Sequence, residues 1–104
     1  MTDRIARIQA MLEQTPGDCF LNHALALEFI KAGNDAAAKK YFEKNLSADP
    51  SYLATYYHFG KLEERNGVAQ HAIELYEAGM KVARAAGDNH TYSELQAAHD
   101  DLAY

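Results

Sequence analysis

An all-α fold built from antiparallel helical hairpins, six helices in all, is what this sequence predicts, and three observations predict it. Residues recur at an interval of 34: Pro16 with Pro50, Gly33 with Gly67, Ala38 with Ala72, Phe42 with Tyr76, Glu43 with Glu77, Leu46 with Met80 and Lys31 with Arg65. That interval is the length of one helix-turn-helix unit. Apolar residues between these markers are spaced three and four apart, the period of a helix with one buried stripe. Glycines and prolines then stand at the ends of the stripes, where they stop helices rather than interrupt them.

Each helix follows from its own signals. Ile5, Ile8 and Leu12 mark the first, over residues 2–14, with Thr2 or Asp3 as its cap and Thr15-Pro16-Gly17 as its end. Asp18 caps the second, which runs to about Ala32 and closes on Gly33-Asn34, a pair suited to a left-handed helix terminus. The third spans about Asp35 to Ala48 and stops at Asp49-Pro50. Ser51 is the expected cap of the fourth, which reaches about Asn66 before Gly67 repeats the role of Gly33. The fifth covers about Ala69 to Ala86; Arg84 stands where the closing proline is due, so this helix should outrun its predecessor up to Gly87. The last covers about Asn89 to Ala103, capped by Asp88 or by a capping box of Thr91 and Glu94.

Size explains why the helices pair. Ala26 and Gly60 in the opening helices, and Ala38 and Ala72 in the closing ones, remove bulk where two axes must approach to about 8–10 Å. Phe29, Phe42, Tyr56, Phe59 and Tyr76 fill the gaps as core, each worth about 1.5–3 kcal/mol when buried. On the last helix, Leu95, Ala98 and Leu102 face the preceding pair and Glu94, Asp100 and Asp101 face water, the pattern of a cap.

These positions resemble the tetratricopeptide repeat family. Leu25, Ala26, Phe29, Ala38, Phe42 and Pro50 fit its pattern in one unit and Tyr56, Phe59, Gly60, Ala72, Tyr76 and Gly79 in the next. Asn22, Asn45, Glu63 and Arg84 depart from it, as does Arg4 in a slot usually held by alanine. The resemblance implies one domain over residues 1–104, a short right-handed α-solenoid: a half repeat at 2–18, repeats at 19–52 and 53–86, and a capping helix at 87–104.

It also implies a non-catalytic scaffold or adaptor that binds a peptide in a concave groove. The groove positions fall on Phe20, His23, Leu27, Ile30 and Lys31, then on Ala54, Tyr57, Lys61, Glu64 and Arg65. Lys61 and Arg65 resemble part of the set with which some members grip a terminal carboxylate, but Leu27 stands where that set has asparagine. An apolar half and a basic-aromatic half suit an amphipathic or acidic-apolar segment. The plainer reading is that Leu27 and Ile30 pack against a neighbouring helix and that Lys61 and Arg65 form a solvated face. The alternative function is a homo-oligomeric assembly element using the same apolar face. So short an array offers a contact burying less than about 1,200 Å².

Composition narrows the classes. Formal net charge is −5 and the longest basic run is Lys39-Lys40, so nucleic acid is not an expected partner. No apolar stretch approaches a membrane span, and the opening residues do not read as a secretory leader. Cys19 is the only cysteine, which fits a reducing compartment, and the expected location is cytoplasmic. His23, His58, His71, His90 and His99 lack the spacing of a metal site. Cys19 and His23, four apart, have no third residue to orient them as nucleophile and base. No cofactor, metal or enzymatic activity is expected.

Overall fold

The computed structural model describes residues 3–104. Its helices are α1 (Asp3–Gln14), α2 (Cys19–Lys31), α3 (Asp35–Ala48), α4 (Leu53–Arg65), α5 (Ala69–Ala86) and α6 (Asn89–Ala103). Six helices and no strand are present among the described residues, so the fold is all-α. Two compact units divide between Tyr52 and Leu53. Asp3 begins α1 as its first residue, and Thr2, the other candidate cap, lies outside the described residues.

In the first unit α2 packs against both α1 and α3. Ile5, Ile8 and Leu12 bury one stripe of α1 against Leu25, with Leu21, Ala24, Phe29 and Tyr41 closing around them. Ala26, Ala38 and Phe42 are fully buried, as the small-residue spacing requires where helices meet. The α1–α2 turn is held by side chains. Asp18 Oδ1 accepts the Leu21 N–H at 3.0 Å, and the Asn22 amide donates to the carbonyls of Pro16 at 3.1 Å and Asp18 at 3.0 Å.

Gly33 takes φ +78°, which residues with a Cβ rarely adopt. There its N–H reaches Ile30 O at 3.0 Å and that of Asn34 reaches Phe29 O at 2.8 Å, two bonds that satisfy the last carbonyls of α2. Asn34 also starts the next helix, its Oδ1 accepting the Ala37 N–H at 3.1 Å.

Ser51 does not take up the capping role read for it. Asp49 Oδ1 accepts both its hydroxyl at 2.6 Å and its N–H at 3.0 Å, and α4 begins two residues later at Leu53. Ser51 therefore stands one place before the N-cap position of α4. The Ser51 hydroxyl, then its N–H, holds the Asp49 carboxyl below the ordinary range.

In the second unit α5 packs against α4 on one side and α6 on the other. Gly60 makes room for Tyr76: an added Cβ would lie 2.8 Å from its Cζ and closer still to Cε1. Gly79 does the same for Tyr56 and Leu95, at 2.8 Å from Tyr56 Cβ and 2.9 Å from Leu95 Cδ1. Gly67 and Gly87 repeat the positive-φ closure of Gly33. With no proline at position 84, α5 runs 18 residues against 14 in α3. Asp88 caps α6, accepting the Thr91 N–H at 3.0 Å and its hydroxyl at 2.7 Å, so the capping-box alternative does not apply.

Candidate functional site

The exposed face of α2 carries Phe20, Leu27, Ile30 and Lys31, and its spacing follows the helical repeat. Phe20 is 68% exposed, the largest exposed ring of the first unit. Leu27 and Ile30 are half-buried. Lys31 is exposed, but its ammonium sits 3.3 Å from Glu28, whose same oxygen takes Arg4 from α1 at 3.0 Å. The Glu28 carboxylate therefore offsets part of the charge that Lys31 could offer a ligand.

His23 departs from the expected site. It is 7% exposed, and its ring tilts against Phe42 at 5.7 Å and Tyr52 at 5.6 Å. The fold uses this side chain for its own packing, which removes it from a surface that touches a ligand.

On α4 the candidates group more tightly. Tyr57, Lys61 and Glu64 are partly exposed, and Ala54 and Arg65 are exposed. The Lys61 ammonium lies 5.7 Å over the Tyr57 ring and 3.9 Å from Glu64. Glu64 in turn accepts the Tyr76 hydroxyl at 3.0 Å. Burial and then that bond push the Tyr76 hydroxyl up, so it stays a donor. Glu64 thus fixes Lys61 from the core side, while Arg65 remains at the surface.

The chemistry of a reactive pair is missing at Cys19 and His23. The thiol points to Gly17 O at 3.8 Å, and burial, then the charges of Asp49 and Asp18, push its pKa up. An activated nucleophile needs the opposite shift. Among the described residues no three His, Cys, Asp or Glu side chains are grouped to hold a metal. No described helix is long and apolar enough to cross a membrane.

Three groupings lie outside the candidate groove positions. Glu63, buried at 2% exposure where the repeat pattern expects an aromatic, meets His71 Nδ1 at 2.6 Å. His99, buried on α6, meets Glu77 at 3.0 Å and Asp100 at 3.0 Å. Arg84 lies on the face of Tyr92, 4.8 Å from the ring centre, and donates to its hydroxyl at 2.6 Å.

The chain is similar to a tetratricopeptide repeat domain protein from Salinibacter ruber in two solved structures. A solution structure shares 42% identity at a TM-score of 0.81, over 84% of this chain and 88% of that one. A crystal structure shares 44% at 0.75, over 79% and 92% respectively. A protein of Bordetella parapertussis, solved in solution, matches at a TM-score of 0.83 and 27% identity, over 99% of this chain and 90% of that one. No family model matches the chain, and no curated protein does.

Proposed function

The chain belongs to the tetratricopeptide repeat family, whose fold is in general a module for protein–protein interaction, and from that premise we propose that it is a non-catalytic scaffold or adaptor holding a peptide segment of a partner protein. The residues that touch the peptide are Phe20, Leu27, Ile30 and Lys31 on α2 and Tyr57, Lys61, Glu64 and Arg65 on α4. The observation that supports this most is Phe20, a ring left 68% exposed beside half-buried Leu27 and Ile30. Exposed rings in such a setting act as anchors for an incoming apolar side chain. Lys61, beside Tyr57 and Glu64, and Arg65 one turn on favour acidic groups in a bound segment.

The test begins with affinity recovery of a partner, whose binding segment is then titrated against the parent protein and three variants. Phe20→Ser, at an exposed position, weakens binding without disturbing the fold. Leu27→Glu abolishes it by placing a charge among apolar contacts. Lys61→Ala with Arg65→Ala weakens it and flattens its salt dependence. Parent-like binding by all three refutes the assignment. If they bind like the parent while Leu27→Glu turns a dimer into a monomer, the apolar face is an assembly surface instead.

A further inference from the structure

The 34-residue register pairs each residue of the second unit with one of the first, and one group of neighbouring positions changes character together. His23, Leu27 and Ile30 of α2 and Phe42 of α3 become Tyr57, Lys61 and Glu64 of α4 and Tyr76 of α5, and Ala26 becomes Gly60. In the first unit the group packs as rings and apolar chains. His23 tilts against Phe42 at 5.7 Å, and Leu27 and Ile30 are half-buried.

In the second unit the same positions form a polar relay. An added Cβ at Gly60 would lie 2.8 Å from Tyr76 Cζ, the atom that bears the hydroxyl, so the missing Cβ is what lets the polar end of the ring lie over α4. Tyr76 is 0% exposed, and its hydroxyl donates to one oxygen of Glu64 at 3.0 Å. A hydroxyl bonded to an ionised carboxylate is among the stronger hydrogen bonds of a fold. Phe42 and Ile30, with neither hydroxyl nor carboxylate, offer no such bond at the equivalent place.

The other oxygen of Glu64 lies 3.9 Å from the Lys61 ammonium. That is close enough to attract it and about 1 Å too far to accept one of its hydrogens, since a charge-assisted N–H···O bond closes to about 2.7–2.9 Å. Residues three apart on a helix are neighbours, so a Glu64 released from α5 would close on Lys61. As it stands, the ammonium lies 5.7 Å over the Tyr57 ring and the Lys61 side chain is 40% exposed.

We propose that Tyr76 is a positioning residue for a carboxylate site at Lys61: its hydroxyl turns Glu64 toward α5 and off the ammonium, and the hydrogens of Lys61 remain available to an acidic group of a bound segment. This role rests on the reading that the face holds such a segment. Tyr76 itself touches no ligand. Glu64 is the internal competitor of the incoming carboxylate, and a hydrogen bond from the core sets how strongly it competes.

Tyr76→Phe removes the hydroxyl alone, and Phe42 shows that a phenyl ring is fully buried at the equivalent position. Limited acylation with acetic anhydride, read residue by residue by mass spectrometry with the exposed Lys40 as reference, measures how free the Lys61 amine is. Lys61 of Tyr76→Phe should react about twofold more slowly than in the parent, the size of one helical ion pair. Glu64→Gln should react no more slowly than the parent, and the double variant should match Glu64→Gln. The recovered partner segment should bind in the same order, weakest to Tyr76→Phe and restored in the double variant, whereas a loss due to core packing would persist there. Parent-like acylation or parent-like segment affinity in Tyr76→Phe, or a double variant as slow as Tyr76→Phe, overturns the positioning role. A segment that binds Lys61→Ala with Arg65→Ala as tightly as the parent overturns the peptide-face reading instead, whatever the acylation rates, and the role falls with it.

Discussion

Tyr76 and Tyr56 are accommodated by glycines, and that exchange of bulk between helices is where single residues decide the fold. Gly60→Ala, whose Cβ would collide with the ring of fully buried Tyr76, should cost about 1–3 kcal/mol by overpacking. Ala72→Leu, at 0% exposure, belongs to the same class. Thermal unfolding of both variants is the check, and midpoints equal to the parent's would contradict the packing. These small positions were legible because the 34-residue period repeats them. Polar substitutes were not: Asn22 could be seen to replace an aromatic, but its partners, the carbonyls of Pro16 and Asp18, are fixed only once the turn forms. His99 gives a residue-scale test by pH. Hydrogen bonds that its ring donates to Asp100 and Glu77 raise its pKa above the ordinary value near 6.5. A raised folded pKa means that its contribution is fully present below the unfolded pKa and disappears as pH rises through the folded one. Melting of the parent relative to His99→Gln should therefore show an advantage at pH below about 6.5 that shrinks toward higher pH.

Helix boundaries are set by a few side chains and three positive-φ glycines. Gly67→Ala should cost about 1 kcal/mol, and the cost is purely one of backbone conformation, since a Cβ there meets nothing within 4 Å. Asp18→Ala should cost about 1 kcal/mol by freeing the Leu21 N–H, and denaturant unfolding measures both. Gly33, Gly67 and Gly87 were readable as stops because glycine is the residue that tolerates the geometry. The length of α5 was readable from a missing proline. The start of α4 differs from the expectation because Ser51 has the chemistry of a cap but the helix begins only at Leu53, leaving Ser51 in the turn with Asp49. Register of α6 was also hidden, since a longer α5 moves it out of the 34-residue frame and only the Asp88 cap restores the match to Asp18.

For the whole molecule, the family and the helical array follow from repetition, whereas a binding face is defined by what is left over after packing. His23 shows the difference: its position matched a groove residue, but the space between Phe42 and Tyr52 took its ring. Phe20 shows the reverse, a large ring to which the fold gives no enclosure. Binding through Lys61 and Arg65 should weaken with added salt, because those contacts are charge-assisted. The most direct measurement is calorimetric titration of the recovered partner segment into the parent, Phe20→Ser and Leu27→Glu, with thermal melts to show that each variant is folded. The account predicts binding by the parent, weaker binding by Phe20→Ser and none by folded Leu27→Glu. Parent affinity in both folded variants would contradict it.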